Sequence, residues 1–298
     1  MRYISNSELE TWRECPRKWW LEYVRCLRRT DPAFGTAYVG TVVHEALDTY
    51  YSSSDREEAE ARVLADLDTR HDEATYNDSD PREAGALDHA RVMLAGYFDW
   101  LAEEGVDADW DISGSEETLV MPLSGGVSLV GKLDLRVTSR ETGFRGAVDH
   151  KTTGNLDELE RWAPRRNQFK HYLLLANHQF PGEFDGLAVN GIKRSKRTAR
   201  ASGPFFSRFT VRFNPQALVT YEKQVRAEVD RLSHTEQMLS LGADHQEVCT
   251  PRANSMCHKT CTFSGVCPMF DDGSDPESVL SFEFTQVDPL ERYGNTLP

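Results

Sequence analysis

Ser128–Thr153, with the sequence SLVGKLDLRVTSRETGFRGAVDHKTT, predicts two consecutive β-strands. Apolar and polar residues alternate along both halves with a period of two, which is the repeat of a half-buried strand. The preceding segment ETLVMPL, which starts at Glu117, has the same alternation and is joined to this stretch by the turn residues Gly125 and Gly126. Together the three segments predict a three-stranded meander.

The same period determines which side chains share a face of the predicted sheet. In the last strand, Asp149 and Lys151 lie on one face and His150 on the other. In the strand before it, Asp134 points away from the apolar face. Carboxylates on neighbouring strands can share Mg²⁺ or Mn²⁺, which prefers oxygen ligands and lowers the pKa of bound water. Lys151 would orient that water or stabilise charge on a phosphate.

Taken one at a time, these residues are most simply ordinary solvated side chains, and only the spaced set indicates a metal site. The set belongs to a series of four motifs: Gly40–His44 (G-x-x-x-H), Gly131–Asp134 (G-x-x-D), Asp149–Lys151 (D-x-K) and Gln168–Tyr172 (Q-x-x-x-Y). In this order the series resembles that of the RecB-like PD-(D/E)XK nucleases. The resemblance implies an α/β fold with a restriction-endonuclease-like core and a mixed β-sheet.

The resemblance also assigns roles to six side chains and one backbone group. These are the metal ligands His44, Asp134 and Asp149, with the His150 carbonyl as a further ligand, the catalytic lysine Lys151, and, for contact with the substrate backbone or support of the lysine, Gln168 and Tyr172. Glu116 and Glu117, on the preceding strand, are interpreted as solvated edge charges and are left out of the site.

Three of the six cysteines lie within the polar segment Cys257–Cys267, CHKTCTFSGVC. In a reducing compartment this close spacing is typical of metal ligands. The segment supplies three thiolates, so a fourth ligand must come from Cys15, Cys26, Cys249 or, for zinc, His258. Cys15 is preferred because it lies on the apolar face of a predicted helix. Cys26 and Cys249 are predicted to be small buried residues.

The pattern Trp12-x-x-Cys15-Pro16 resembles the first cysteine motif of iron–sulfur-containing RecB-like nucleases, a branch that includes the CRISPR adaptation nuclease and the AddB nuclease domain. The resemblance implies a structural 4Fe-4S cluster held by Cys15, Cys257, Cys261 and Cys267, which ties the two ends of the chain together. The first C-terminal gap is x₃ here, whereas relatives often have x₂. Zinc bound by the same four thiolates is the alternative.

Hydrophobic periodicity predicts helices over residues 5–28, after Gly35, and over 55–76, 82–105, 164–179 and 215–241, with further strands over 184–192 and 205–213. The predicted segments are an N-terminal helix with the first cluster cysteine (1–34), a helical region with the histidine motif (35–112), the nuclease core (113–245), the cysteine segment (246–272) and a partly extended or mobile tail (273–298). The acidic helices over 55–76 and 82–105 are predicted to form a solvated insertion. The aromatic pairs Trp19-Trp20 and Phe205-Phe206 are predicted to lie in the core.

The charge balance limits how nucleic acid could be bound. The 34 basic and 48 acidic residues give a net charge of −14, which argues against a protein that coats polyanions unspecifically. DNA would therefore contact local basic patches, which are Lys193–Arg197 with Arg200, and Arg165, Arg166 and Lys170. Because there is no signal peptide and no apolar stretch long enough to span a membrane, we expect a cytoplasmic protein.

These features predict a Mg²⁺- or Mn²⁺-dependent deoxyribonuclease. The resemblance implies an exonuclease acting on single-stranded DNA or DNA ends in recombination, repair or phage DNA metabolism, with recombination or replication proteins as further partners. Two alternatives stay open. A non-catalytic DNA-binding protein with a zinc knuckle would bind DNA without metal-dependent cleavage, whereas an iron–sulfur protein unrelated to nucleic acids would leave the D-x-K series unexplained.

Overall fold

A computed structural model of the chain describes residues 1–31, 33–76, 80–196 and 201–297. Arg197 and Arg200 of the predicted basic loop lie outside the described residues. Within these ranges the chain forms two compact units, one from residues 1–31, 120–131 and 219–297, and the other from residues 33–76, 80–119, 132–196 and 201–218. The predicted metal and catalytic residues all belong to the second unit, and the six cysteines all belong to the first.

The secondary-structure elements follow one another along the chain, from an N-terminal strand to a C-terminal 3₁₀ segment. They are β1 (Arg2–Ser5), α1 (Asn6–Glu14), α2 (Pro16–Trp19), a π-helical turn (Trp20–Val24), β2 (Leu27–Arg29), α3 (Thr36–Ser52), α4 (Arg56–Tyr76), α5 (Pro81–Glu104), β3 (Trp110–Pro122), β4 (Val127–Ser139), β5 (Arg145–Thr153), α6 (Leu156–Trp162), a 3₁₀ turn (Ala163–Arg165), α7 (Asn167–Gln179), β6 (Gly186–Lys193), β7 (Phe206–Val211), α8 (Pro215–Ser240), α9 (His245–Val248), α10 (Cys257–Thr260), a 3₁₀ turn (Cys267–Phe270), α11 (Pro276–Glu283), β8 (Phe284–Gln286) and a 3₁₀ segment (Glu291–Thr296).

The sheet of the second unit is mixed. Strand β4 pairs antiparallel with β5, β5 parallel with β6, and β6 antiparallel with β7, while β3 pairs with β4. The predicted α/β class and the meander of β3, β4 and β5 are therefore confirmed. In the parallel pair, Asp149 lies opposite Val189 and Lys151 lies opposite Gly191, so the carboxyl-terminal ends of β5 and β6 lie side by side.

Apolar side chains of α3, α4 and α5 pack together with the sheet in one core. The prediction that the two acidic helices form a solvated insertion is wrong, because Leu67 of α4 and Phe98 of α5 are only 1% and 2% exposed. Both helices are amphipathic, so their acidic residues face water while an apolar stripe enters the core. Phe205 and Phe206, predicted as core residues, are half-buried.

The predicted single helix over residues 5–28 is wrong, because the chain breaks at Cys15. Helix α1 ends at Glu14, Cys15 is extended, and α2 begins at Pro16. Proline has no backbone N–H and disfavours the helical conformation in the residue before it, but it is well tolerated in the first turn of a helix. The sequence Cys15-Pro16 therefore ends one helix and begins the next, and Trp19 behind it is fully buried as predicted.

In the first unit, β1 pairs in parallel with residues Val127–Val130 of β4, and β2 pairs antiparallel with β8. The tail over 273–298 is more regular than predicted, because it contains helix α11 and strand β8 with Leu280 and Phe284 buried. Among the described helices, none combines the length and the apolar character needed to cross a membrane.

Candidate active site

The residues of the predicted metal site come from one helix and two strands of the second unit: His44 on α3, Asp134 on β4, and Asp149 and Lys151 on β5. Gly40 lies one helical turn before the histidine. A Cβ atom at this glycine would lie 3.3 Å from Thr152 Oγ1 on β5. The absence of a side chain at Gly40 therefore lets α3 approach the sheet closely, which brings the histidine within reach of β4.

Two donors surround the carboxylate of Asp134. His44 Nδ1 lies 3.4 Å from Asp134 Oδ2, and the backbone N–H of His150 donates to the same oxygen over 2.6 Å. Burial alone would raise the pKa of Asp134, but the charge and hydrogen bond of His44 outweigh it and hold that pKa well below its usual range. In return, the charge of Asp134 raises the pKa of His44 against the opposing effect of burial. Asp134 is therefore held ionised, which is the form that binds a metal ion.

Glu116 of β3 joins this pair. One ligand atom from each of His44, Glu116 and Asp134 lies within 4.8 Å of the other two. The Glu116 side chain is 26% exposed, and Lys132 Nζ lies 2.7 Å from its Oε2. Glu116, which the sequence interpretation left out of the site as a solvated edge charge, therefore lies beside His44 and Asp134. One imidazole nitrogen and two carboxylate oxygens form a donor set suited to a divalent cation.

The backbone at Glu116 explains why the sequence pattern missed it. Its φ of +48° lies in the left-handed region, which is unusual for a residue with a side chain and departs from strand geometry. The neighbouring Glu117 instead forms an ion pair with Arg136, with 3.0 Å between Oε2 and Nε. Strand alternation alone cannot decide which of two adjacent glutamates faces the site when the alternation is broken at that point.

Asp149 and Lys151 form a second, tightly coupled pair. Lys151 Nζ lies 2.9 Å from Asp149 Oδ1, to which it donates a hydrogen bond, and 2.8 Å from Oδ2. Despite that proximity, Oδ2 is buried and makes no hydrogen bond of acceptable geometry within the described part of the chain. Burial raises the pKa of Asp149, and the Lys151 ammonium opposes this effect. A cation could satisfy the remaining carboxylate oxygen.

The predicted site residues are brought together only in part. Asp149 lies outside the compact group of His44, Glu116 and Asp134, although the charge of Asp134 contributes to its raised pKa. The last motif lies on α7, which packs against β6. There Gln168 Nε2 donates a hydrogen bond of 2.9 Å to the hydroxyl of Tyr172, one helical turn away.

A buried polar network behind the site contains residues that sequence reasoning missed. The His150 ring stacks on Tyr51, with 5.5 Å between ring centroids, and its Nδ1 lies 3.2 Å from Asn190 Nδ2. Asn190 Nδ2 also donates to the Tyr97 hydroxyl over 2.9 Å, and Arg208 Nε donates to Asn190 Oδ1 over 2.5 Å. Burial lowers the pKa of His150 to about 3, so its imidazole is neutral at neutral pH. The network holds in place the His150 position, whose backbone N–H donates to the carboxylate of Asp134.

Residues 3–268 match the sequence family described as the PD-(D/E)XK nuclease superfamily. The chain belongs to this superfamily. The match extends over both units of the PD-(D/E)XK nuclease and includes its C-terminal cysteine segment. Nucleases of this superfamily use divalent metal ions, and the group of His44, Glu116 and Asp134 could bind one.

Solved structures that resemble this PD-(D/E)XK nuclease do so loosely. The alkaline exonuclease LHK-Exo from Laribacter hongkongensis is 11% identical, with 66% of this chain and 90% of that chain covered and a TM-score of 0.33. Its complex with dAMP is 13% identical, with 66% and 89% covered and a TM-score of 0.33. The structure of SSO0001 is 15% identical, with 77% and 95% covered and a TM-score of 0.28. No curated protein matches the chain.

The cysteines of the first unit form no disulfide. Two of those predicted as cluster ligands accept backbone hydrogen bonds at sulfur. The N–H of Arg252 donates to Cys15 Sγ and the N–H of Asn254 donates to Cys257 Sγ, each over 3.4 Å. Arg17 Nη1 lies 4.0 Å from Cys267 Sγ. Hydrogen bonds to sulfur of this kind are also found around metal-bound cysteines.

The remaining cysteines have different surroundings. Burial is the main cause that raises the pKa of Cys261 and of Cys267, and the nearby Cys15 adds to it. Cys249 is fully buried, which confirms its prediction, and burial raises its pKa to about 12. Cys26 is only half-buried, so the prediction of a buried residue is wrong for this position. Its φ of +57° marks a turn between the π-helical segment and β2.

Proposed function

We propose that this PD-(D/E)XK nuclease is a Mg²⁺- or Mn²⁺-dependent deoxyribonuclease that acts as an exonuclease on single-stranded DNA or DNA ends. The observation that carries the proposal is the donor group of His44, Glu116 and Asp134, whose charges are coupled to a buried Asp149–Lys151 pair. A carboxylate cluster of this kind combined with a lysine suits hydrolysis of a phosphodiester.

The donor set fits a hard divalent metal ion. His44 and Asp134 would hold it, with Asp149 and Glu116 as further carboxylates and the His150 carbonyl as a predicted ligand. Asp149 fits this role because its Oδ2 is buried and, apart from the ion pair with Lys151 at 2.8 Å, has no hydrogen-bond partner among the described residues. When bound, such an ion supplies a water of lowered pKa and offsets charge on the phosphate.

The other residues of the site would hold and orient the reacting groups. Asp149 positions the Lys151 ammonium, which would stabilise charge on the phosphate or orient the attacking water. His44 and the N–H of His150 keep the carboxylate of Asp134 ionised and oriented. Gln168, held by its hydrogen bond to Tyr172, would contact the substrate backbone.

Two basic segments support DNA as the substrate. Within the described ranges, Arg165, Arg166 and Lys170 form no ion pair with a carboxylate, and the same holds for Lys193, Arg194 and Lys196. The N–H of Arg194 donates to the carbonyl of Thr153 over 2.7 Å, so the second segment lies at the end of the strand that carries Lys151. Phosphates would be attracted to this positive charge. Recombination or replication proteins as further partners stay a prediction.

For the first unit, a structural 4Fe-4S cluster held by Cys15, Cys257, Cys261 and Cys267 is proposed. Hydrogen bonds to sulfur, as at Cys15 and Cys257, are among the interactions that tune such clusters. Among the described cysteines, no three sulfur atoms lie within 4.8 Å of one another. Thiolates on one zinc ion would lie about 3.8 Å apart, given zinc–sulfur bonds of about 2.3 Å. Zinc bound by the same thiolates is the alternative.

The experiment that tests the proposed activity is degradation of end-labelled single-stranded DNA with Mg²⁺ or Mn²⁺. We expect the wild type to release the label and Lys151→Ala to be slower by about a hundredfold or more, since a lost positioned charge costs that much. Lys223→Ala, which removes an exposed lysine on α8, is the matched control and should behave like the wild type. A circular single strand should resist an exonuclease.

DNA binding without metal-dependent cleavage by the wild type would contradict the proposal and support a non-catalytic DNA-binding protein.

A further inference from the structure

Trp162 is the last residue of α6, and its side chain is exposed to solvent. It is 52% exposed. The apolar residues Leu156 and Leu159 of the same helix are instead buried. The exposed indole offers a flat ring that a ligand could stack on, and tryptophan is enriched at interfaces.

Helix α6 is anchored beside the catalytic strand. Lys151 of β5 lies opposite Gly191 of β6. A Cβ atom at Gly191 would lie 2.8 Å from Leu156 Cδ2 and 3.0 Å from Leu159 Cδ2. The helix therefore packs directly on the strand position next to the lysine, and it presents Trp162 from this rigid base. The 3₁₀ turn Ala163–Arg165 then leads into the helix of the Gln168–Tyr172 motif.

An arginine without a carboxylate partner lies beside the indole. The Arg165 guanidinium lies 5.5 Å from the centroid of the Trp162 ring, and Arg165 Nη1 donates to the carbonyl of Arg161 over 2.8 Å. In the part of the chain that the structure describes, Arg161, Arg165 and Arg166 form no ion pair. The acidic residues of the same helix include Glu158, one helical turn before Trp162, and the exposed Glu160, so Arg165 and Arg166 beyond the helix supply the positive charge on this side.

We propose that Trp162 and Arg165 form a stacking site for an unpaired nucleobase of single-stranded DNA. The inference rests on the proposed nuclease function and names the substrate strand that this surface would accept. A base in single-stranded DNA exposes its π face to an indole, whereas bases inside a duplex are stacked on each other. The guanidinium would bind the adjoining phosphate, which explains why an aromatic ring and unneutralised arginines lie together.

A second copy of this chain matches the surface less well. A symmetric contact through Trp162 would bring two copies of Arg165 and Arg166 together, and this helix offers only Glu158 and Glu160 to offset them. Nucleic acid supplies the negative charge and the flat rings in one ligand, and it therefore matches both features of the surface.

The test is binding of a fluorescent oligothymidylate in EDTA, measured by anisotropy, so that cleavage does not interfere. Trp162→Ala should weaken binding by about five- to a hundredfold, the contribution of one stacked base, and Trp162→Phe should retain part of it. Tyr76→Ala is the matched control, because Tyr76 is 84% exposed on α4, and it should bind as the wild type does. On an oligonucleotide of abasic sites, Trp162→Ala and the wild type should bind equally.

Equal binding of oligothymidylate by the wild type and Trp162→Ala would overturn the stacking site. So would an equal loss on the normal and the abasic strand, because that loss would not involve a base. A shift from dimer to monomer in Trp162→Ala without a change in DNA affinity would also overturn it and indicate self-association. These outcomes differ from failure of the nuclease proposal, which would appear as absence of metal-dependent cleavage by the wild type. If Trp162→Ala does not fold, Trp162→Phe compared on the normal and abasic strands decides the question.

Discussion

Asp134 Oδ2 accepts a hydrogen bond of 2.6 Å from the backbone N–H of His150, which ties β4 to β5 beside the Asp149–Lys151 pair. The same oxygen lies 3.4 Å from His44 Nδ1. These two contacts therefore orient the carboxylate.

The His44–Asp134 pair predicts a pH dependence of stability in the metal-free protein. The charge of Asp134 raises the pKa of His44 above its ordinary value of 6.5. The free energy by which the charged His44–Asp134 pair stabilises the fold is therefore fully present below pH 6.5. It is lost as the pH rises through the raised pKa of His44. Urea unfolding should show the wild type losing more free energy of unfolding across this window than His44→Asn. Parallel pH profiles for the two proteins would contradict the raised pKa.

Asp149→Asn should separate stability from activity. Burial raises the pKa of Asp149 because its charged form loses water, and a neutral amide of the same shape avoids that cost. We expect a melting temperature equal to or above that of the wild type, together with DNA hydrolysis slower by about a hundredfold or more. Asp157→Asn controls for the loss of one negative charge. Unchanged hydrolysis by Asp149→Asn would remove Asp149 from the site. A strongly destabilised variant would contradict the inference that burial of the charged Asp149 carboxylate lowers stability.

Glu116→Gln should weaken binding of Mn²⁺, measured by calorimetry without DNA. A lost carboxylate ligand or close support of a ligand weakens metal binding by about 10- to 100-fold. Glu117→Gln is a closely matched control, since this neighbour pairs with Arg136 and is not in the group with His44 and Asp134. Equal affinities for the two variants would show that Glu116 does not bind the ion.

The cysteine proposal predicts which variants lose iron. Anaerobically purified protein should be brown and contain iron and sulfide. Cys15→Ala should lose both, whereas Cys249→Ala should keep them, because Cys249 is buried with a strongly raised pKa. Retention of iron by Cys15→Ala and its loss from Cys249→Ala would reassign the fourth ligand. Colourless protein with stoichiometric zinc would instead support the zinc alternative.

The strands and their facing residues could be predicted from the sequence because they depend on local alternation. The order of β3, β4 and β5 follows from short turns, and Asp149 and Lys151 share a face through a period of two. The break at Cys15-Pro16 could also have been predicted from the sequence, since proline disfavours the helical conformation in the residue before it. Burial of α4 and α5 could have been predicted from their apolar stripes, which their acidic composition obscured.

Other parts of the site depend on contacts between distant segments. Asn190 gains its role only when β6 lies beside β5 and Tyr97 arrives from α5. Glu116 lies in the group with His44 and Asp134 because its positive φ interrupts the alternation of the strand. No residue pattern indicates that interruption. Trp162 stands out only by its exposure, which depends on how α6 packs against Gly191.

The most direct measurement of the central claim is the rate at which Asp134→Asn hydrolyses linear single-stranded DNA at saturating Mg²⁺, compared with the wild type. Asp134 is the carboxylate of the proposed metal site that contacts both His44 and the His150 N–H. We predict a folded variant that still binds DNA in EDTA but hydrolyses it more slowly by about a hundredfold or more. Hydrolysis by Asp134→Asn at the wild-type rate would contradict the assigned metal site.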